Sequence, residues 1–91
     1  MEKTAKHIIF TGQVQGVGFR FTAFNIANRY NLSGMVRNIS NGSVEMVAQG
    51  EAGDIGLCIN EIMESFQGYI RDVKINEVPT DPKYTDFKIT F

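Results

Sequence analysis

The chain has 91 residues, 43% of them hydrophobic and 21% charged, with a net charge of −1. That size and balance describe one soluble domain over residues 1–91 and speak against a general nucleic-acid binder, which would carry a basic patch or stripe. A single cysteine, Cys58, and a single histidine, His7, rule out an internal disulfide and a multi-residue Cys/His zinc site. No apolar run approaches the roughly 18 residues of a membrane span, and the N-terminus has no signal-peptide core. The expectation is a cytoplasmic protein without metal or cofactor.

Residues 7–14 read as a first strand, with Ile8, Phe10, Gly12 and Val14 on one face and His7, Thr11 and Gln13 on the other. His7 reads there as a solvent-facing residue. A helix over Phe21–Asn31 follows, because Phe19, Ala23, Ile26, Ala27 and Tyr30 recur at three- and four-residue spacing, and Phe24 widens the stripe. Asn31 and Gly34 punctuate its end. Two strands around Asn41-Gly42 form a hairpin, since both residues of that pair accept positive φ. Gly34, Val36 and Asn38 face one way and Met35, Arg37 and Ile39 the other, which makes Arg37 a surface charge. Val44, Met46 and Ala48 alternate with Glu45, Val47 and Gln49.

The second helix spans residues 52–66, with Asp54 as the alternative start because Gly53 and Gly56 weaken the first turn. Ile55, Cys58, Ile59, Ile62, Met63 and Phe66 line its core face, and Gly68 stops it. A fourth strand runs from Tyr69 to Val78 with a bulge where the alternation slips. Pro79 and Pro82 make a loop, and Phe87, Ile89 and Phe91 alternate as a short last strand that pairs with the fourth. The order β-α-β-β-α-β predicts a ferredoxin-like α+β sandwich, with both helices on one face of an antiparallel sheet of four or five strands.

The chemistry gathers between the first strand and the first helix, in Gly12-Gln13-Val14-Gln15-Gly16-Val17-Gly18-Phe19-Arg20. Glycines allow the positive φ of a tight loop, and successive amides in such a loop converge into an anion-binding concavity. The helix adds its free N–H groups and the positive end of its dipole, and Arg20 a planar fork suited to phosphate or carboxylate oxygens. The loop lacks the Gly-Lys-Ser/Thr ending of a P-loop and the spacing of a dinucleotide loop. A small oxyanion fits better than ATP or NAD. If the first strand neighbours the strand carrying Val36–Ile39, Asn38 reaches the mouth of this cradle and offers both an acceptor and donors.

That loop, together with Gly34-Met35-Val36-Arg37-Asn38, Gly42-Ser43-Val44 and Gly50, closely resembles the two signature motifs of the acylphosphatases. The separation of the motifs, the length and the element order fit as well, so the resemblance covers nearly the whole chain. It implies a metal-independent hydrolase that splits small-molecule acyl phosphates into carboxylate and phosphate, with inorganic phosphate as product and inhibitor. Gln15, Gly16, Val17, Gly18, Phe19 and Arg20 would hold the phosphoryl group, and Asn38 would position the attacking water. Phe10 stands where the family usually has an aliphatic residue, Met35 where it has an aromatic one, and Gly68-Tyr69 where Gly-Pro is common.

Two other classes share this topology. An RNA-binding module would need basic and aromatic residues on its third strand, but Ser43-Val44-Glu45-Met46-Val47-Ala48-Gln49 has neither. A module that binds phosphate or acyl phosphate without turnover has the same cradle, and only an assay separates it from an enzyme. An acylphosphatase-like domain of a larger carbamoyl-transfer protein is a further reading. A chain that starts at Met1 and closes on a strand sets the expectation of a free-standing enzyme, and a monomer is expected.

Overall fold

The structure, a computed structural model, describes residues 3–91. The elements run β1 (Lys3–Gly12), α1 (Phe19–Arg29), β2 (Ser33–Asn38), β3 (Val44–Glu51), α2 (Ala52–Ser65), β4 (Ile70–Val78) and β5 (Phe87–Ile89). The strands form one sheet in the order β4-β1-β3-β2-β5. Both helices cover the face presented by Ile8, Phe10, Val36, Val44, Met46 and Ala48, and these side chains are buried with Phe19, Ala23, Ile26 and Ala27 of α1 and Ile55, Cys58, Ile59 and Ile62 of α2. At the centre, Phe19 stacks between Phe10 and Phe66, with ring centroids 4.9 Å and 4.5 Å away. Truncating such a buried Phe typically costs about 3–5 kcal/mol. This is the ferredoxin-like α+β sandwich expected from the pattern.

Local chemistry explains most of the boundaries. α1 starts at Phe19, two residues earlier than its periodicity predicts, because Gly18 (φ 77°) serves as the N-cap. It ends in a Schellman motif: Asn31 sits at φ 57°, and the amides of Asn31 and Leu32 donate to the Asn28 and Ala27 carbonyls at 3.1 Å each. α2 starts at Ala52 despite its glycines. Ile55, Cys58, Ile59 and Ile62 hold its apolar face in the core, whereas Met63 is largely exposed. Packing overrides propensity there. The β2–β3 hairpin departs from the expected two-residue turn. Asn41 keeps negative φ, and its Oδ1 accepts from the Ser43 amide at 2.9 Å. The Gly42 amide closes a turn onto the Ile39 carbonyl at 3.1 Å, and Gly42 itself takes φ 91°. The connection is therefore a three-residue loop with a glycine bulge.

Two pairings differ from the sequence reading. β1 neighbours β3 and β4 rather than β2. β5 joins β2 in parallel rather than β4, so the sheet is mixed. The direction of β5 follows from where β4 stops. β4 ends beside Ala5, at the same end of the sheet where β2 begins, and residues 79–86 run along that end to the far edge. Four inter-strand steps span about 19 Å, within the roughly 26 Å reach of eight residues. A strand entering from that end must run parallel to β2. Buried Gln49 ties the crossing loop down, donating to the Asp81 carbonyl at 3.0 Å and accepting from its amide at 2.8 Å. The predicted slip in β4 is a bulge: Thr11 faces Asp72 while Gly12 already faces Ile70.

Candidate active site

Residues 13–18 link the end of β1 to α1 by passing over the end of β3, and this crossing brings Asn38 to the loop without β1 and β2 being neighbours. Gln15 fixes the crossing. Its Nε2 donates to the Ile39 carbonyl at 2.8 Å and the Ser43 carbonyl at 3.0 Å, clamping the loop to both ends of the β2–β3 connection. The side chain of Gln15 is thereby turned away from the loop's concave side. Gly16 and Gly18 both take φ 77°, a conformation other residues adopt only with strain.

Below this loop lies an open cleft of about 290 Å³ in which Gly16, Gly18, Phe19, Arg20 and Asn38 meet. The structure thus brings together four of the six expected cradle positions and Asn38, while Gln15 and Val17 do not line the cleft. Among the described residues, no amide from Val14 to Phe21 donates to another main-chain carbonyl. The first helical bond is from Thr22 to the Gly18 carbonyl at 3.1 Å. α1 also has no acidic residue in its first turn and no side chain capping its N-terminus. The donors and the positive end of the dipole are left for an anion.

Arg20 is half-buried at the start of α1. Its Nη1 reaches the Thr90 carbonyl at 3.5 Å, the far limit of a hydrogen bond, and its guanidinium lies 5.1 Å from the centroid of the Phe91 ring. No carboxylate among the described residues pairs with it. Asn38 closes β2 on the helix-covered face, and its Oδ1 is buried without a hydrogen-bond partner. A buried acceptor in that state typically costs about 1–3 kcal/mol. The cleft therefore brings unbonded amide donors and the Arg20 cation together with the Asn38 carboxamide.

The remaining candidates lie elsewhere. His7 is not simply solvent-facing: its Nε2 donates to Glu45 Oε2 at 2.7 Å on the open face of the sheet. Arg37 points to that same face, away from Asn38, and its Nε donates to Glu45 Oε1 at 2.6 Å. The His7 hydrogen bond, with help from Arg37, holds the Glu45 carboxyl below its ordinary 4.5. Cys58 is buried in the core, and desolvation pushes its thiol up to about 12, which removes it as a nucleophile. No group of three His, Cys, Asp or Glu among the described residues could hold a metal ion. No helix among them is long and apolar enough to cross a membrane.

Sequence reasoning missed part of the cleft wall, namely Val14, Phe21, Ile89 and Phe91. Phe21 carried a signal, a large aromatic off the apolar stripe of α1. Phe91 was hidden by its alternation with Phe87 and Ile89, which suggested a strand, yet β5 stops at Ile89 and Phe91 is 95% exposed.

Residues 6–89 match the family model described as Acylphosphatase. The acylphosphatase of Chlorobaculum tepidum is 36% identical over 90 residues, covering 98% of both chains. The crystal structure of the acylphosphatase from Bacillus subtilis superposes with a TM-score of 0.89 at 28% identity, covering 97% of this chain and 99% of that one. HypF from T. kodakarensis contains a similar unit, with a TM-score of 0.84 at 30% identity over 97% of this chain but 12% of its own.

Proposed function

The chain belongs to the acylphosphatase family, and from that premise we propose that its cleft hydrolyses the carboxyl–phosphate bond of small-molecule acyl phosphates as follows. The amides of the Gln15–Phe19 loop and the Arg20 fork bind the non-bridging phosphoryl oxygens and stabilise their charge as transfer proceeds. The Asn38 carboxamide hydrogen-bonds a water and holds its lone pair toward phosphorus. A phosphoryl oxygen takes the water's proton, because Arg20 stays protonated throughout and cannot. The P–O bond to the acyl group breaks, and its electrons leave with the carboxylate. The conjugate acid of that leaving group has a pKa of about 4, so no general acid is needed. Product phosphate is the competing anion.

The observation that carries this reading is the meeting of Asn38, Arg20 and the unbonded loop amides in one open cleft. The matching experiment is hydrolysis of benzoyl phosphate in the presence of chelator, in wild type, Arg20→Ala and Asn38→Ala, with inorganic phosphate as inhibitor. Misplacing a reactant by about 1 Å costs roughly 100-fold, so Asn38→Ala should lose about that in kcat while the phosphate inhibition constant moves little. Arg20→Ala should lose both. Equal losses in turnover and phosphate affinity for Asn38→Ala would remove the role assigned to it. Phosphate binding without turnover in wild type would leave a binding module. We further propose a cytoplasmic, one-domain monomer; the lone reduced thiol suits that compartment, and sedimentation equilibrium tests the monomer.

A further inference from the structure

The cleft has a second wall that phosphoryl transfer does not use. Beside Arg20 the lining turns apolar, through Phe21 on the first turn of α1 and Ile89 and Phe91 at the end of β5. Phe21 is 64% exposed and Phe91 95%. Large apolar side chains left in water around one concavity mark a surface that a ligand covers. The Phe91 ring rests on the Arg20 guanidinium on one side, so the apolar wall begins where the phosphoryl cradle ends. Among the described residues lining this cleft, Arg20 is the sole charged side chain.

We propose that Phe21 and Phe91 form an acyl subsite that selects acyl phosphates with an aromatic or bulky apolar acyl group. The inference rests on the hydrolytic reading above. With the phosphoryl group held against Arg20, the acyl carbon sits one bond beyond the bridging oxygen, and both rings line the cleft it enters. An acetyl group is too small to cover them. An acyl group bearing its own carboxylate meets no second cation in the lining, and its desolvation goes uncompensated. An aromatic acyl group can stack on both rings, and such aromatic contacts are strong enough to move specificity several-fold.

The test compares kcat/KM for benzoyl phosphate and acetyl phosphate in wild type, Phe21→Ala, Phe21→Leu and Phe91→Ala. Wild type should prefer benzoyl phosphate by about tenfold or more, the scale on which an apolar pocket discriminates. Phe21→Ala and Phe91→Ala should each lower that ratio several-fold, mainly through KM for benzoyl phosphate, and Phe21→Leu should retain part of it. Inhibition by inorganic phosphate, which has no acyl group, should shift by less than about twofold, as expected of a contact confined to the acyl side. Turnover of both substrates with equal efficiency, or a ratio unmoved in both alanine variants, overturns the subsite and leaves the hydrolase standing. No turnover of either substrate overturns the hydrolytic reading and the subsite together.

Discussion

Gln15 sits inside the glycine-rich loop, yet its side chain serves the hairpin. Its amide donates to two carbonyls, those of Ile39 and Ser43, and through them sets how the loop crosses β3 and where Asn38 stands relative to it. Gln15→Ala removes two hydrogen bonds of about 1 kcal/mol each. Gln15→Glu is worse, because it turns a carboxylate oxygen toward two carbonyl oxygens. We expect urea unfolding to show a loss of about 1–2 kcal/mol for the alanine variant and more for the glutamate variant. Both should also lose kcat with benzoyl phosphate, since a displaced loop misplaces its amides. Full activity in Gln15→Glu would show that the clamp is dispensable. That Gly16, Gly18, Arg20 and Asn38 meet in one cleft was legible in the sequence, because spacing and residue type mark them out. The role of the Gln15 side chain was not, because its partners lie 24 and 28 residues away and nothing local requires them.

At the scale of elements, the helices were readable wherever burial follows period. Phe19, Ala23, Ile26 and Ala27 on α1, and Ile55, Cys58, Ile59 and Ile62 on α2, are buried as their spacing predicts. What periodicity could not supply was the edge of the stripe: Met63 falls within the pattern of α2 but lies beside the packed surface, while Phe66 beyond it is buried. β2 shows the opposite case, a constraint set by a neighbour rather than by pattern. Gly34 takes φ 138°, and a Cβ there would stand 1.8 Å from the Val47 carbonyl oxygen. The same residue donates its amide to the Asp86 carbonyl at 2.9 Å, which starts β5 alongside β2. Gly34→Ala must therefore push β3 away or rotate β2. Backbone strain of about 1–3 kcal/mol adds to overpacking of about 1–3 kcal/mol, a large share of what holds a domain of this size together. Chemical denaturation should show a loss of at least about 2 kcal/mol. A variant as stable as wild type would mean that the β2–β3 contact is soft.

At the scale of the whole molecule, order along the chain did not determine order across the sheet. Alternation identified β1, β2 and β5 as strands, but their neighbours depend on how α1 and the 79–86 crossing carry the chain over it, and the anchor for that crossing is the buried Gln49. The resulting order places β1, β3 and β2 side by side and so creates a charge cluster on the open face: His7, Glu45 and Arg37, one from each strand. Glu45 is held below its ordinary 4.5 chiefly by the His7 hydrogen bond and secondarily by Arg37. A carboxyl whose folded value is depressed stabilises the fold fully above its unfolded value, and that stabilisation is lost as pH falls through the folded value. Glu45→Gln should therefore be less stable than wild type at pH 7, by about 1 kcal/mol for a partly exposed pair. The gap should close as pH drops below 4.5, once the wild-type carboxyl is protonated as well. Urea unfolding of both proteins between neutral and strongly acidic pH reads this directly. A gap that persists unchanged into acid would assign the effect to packing, and one that widens would reverse the sign of the linkage. Because the cluster lies on the face away from the cleft, the ratio of benzoyl to acetyl phosphate hydrolysis should be the same in both proteins wherever both are folded.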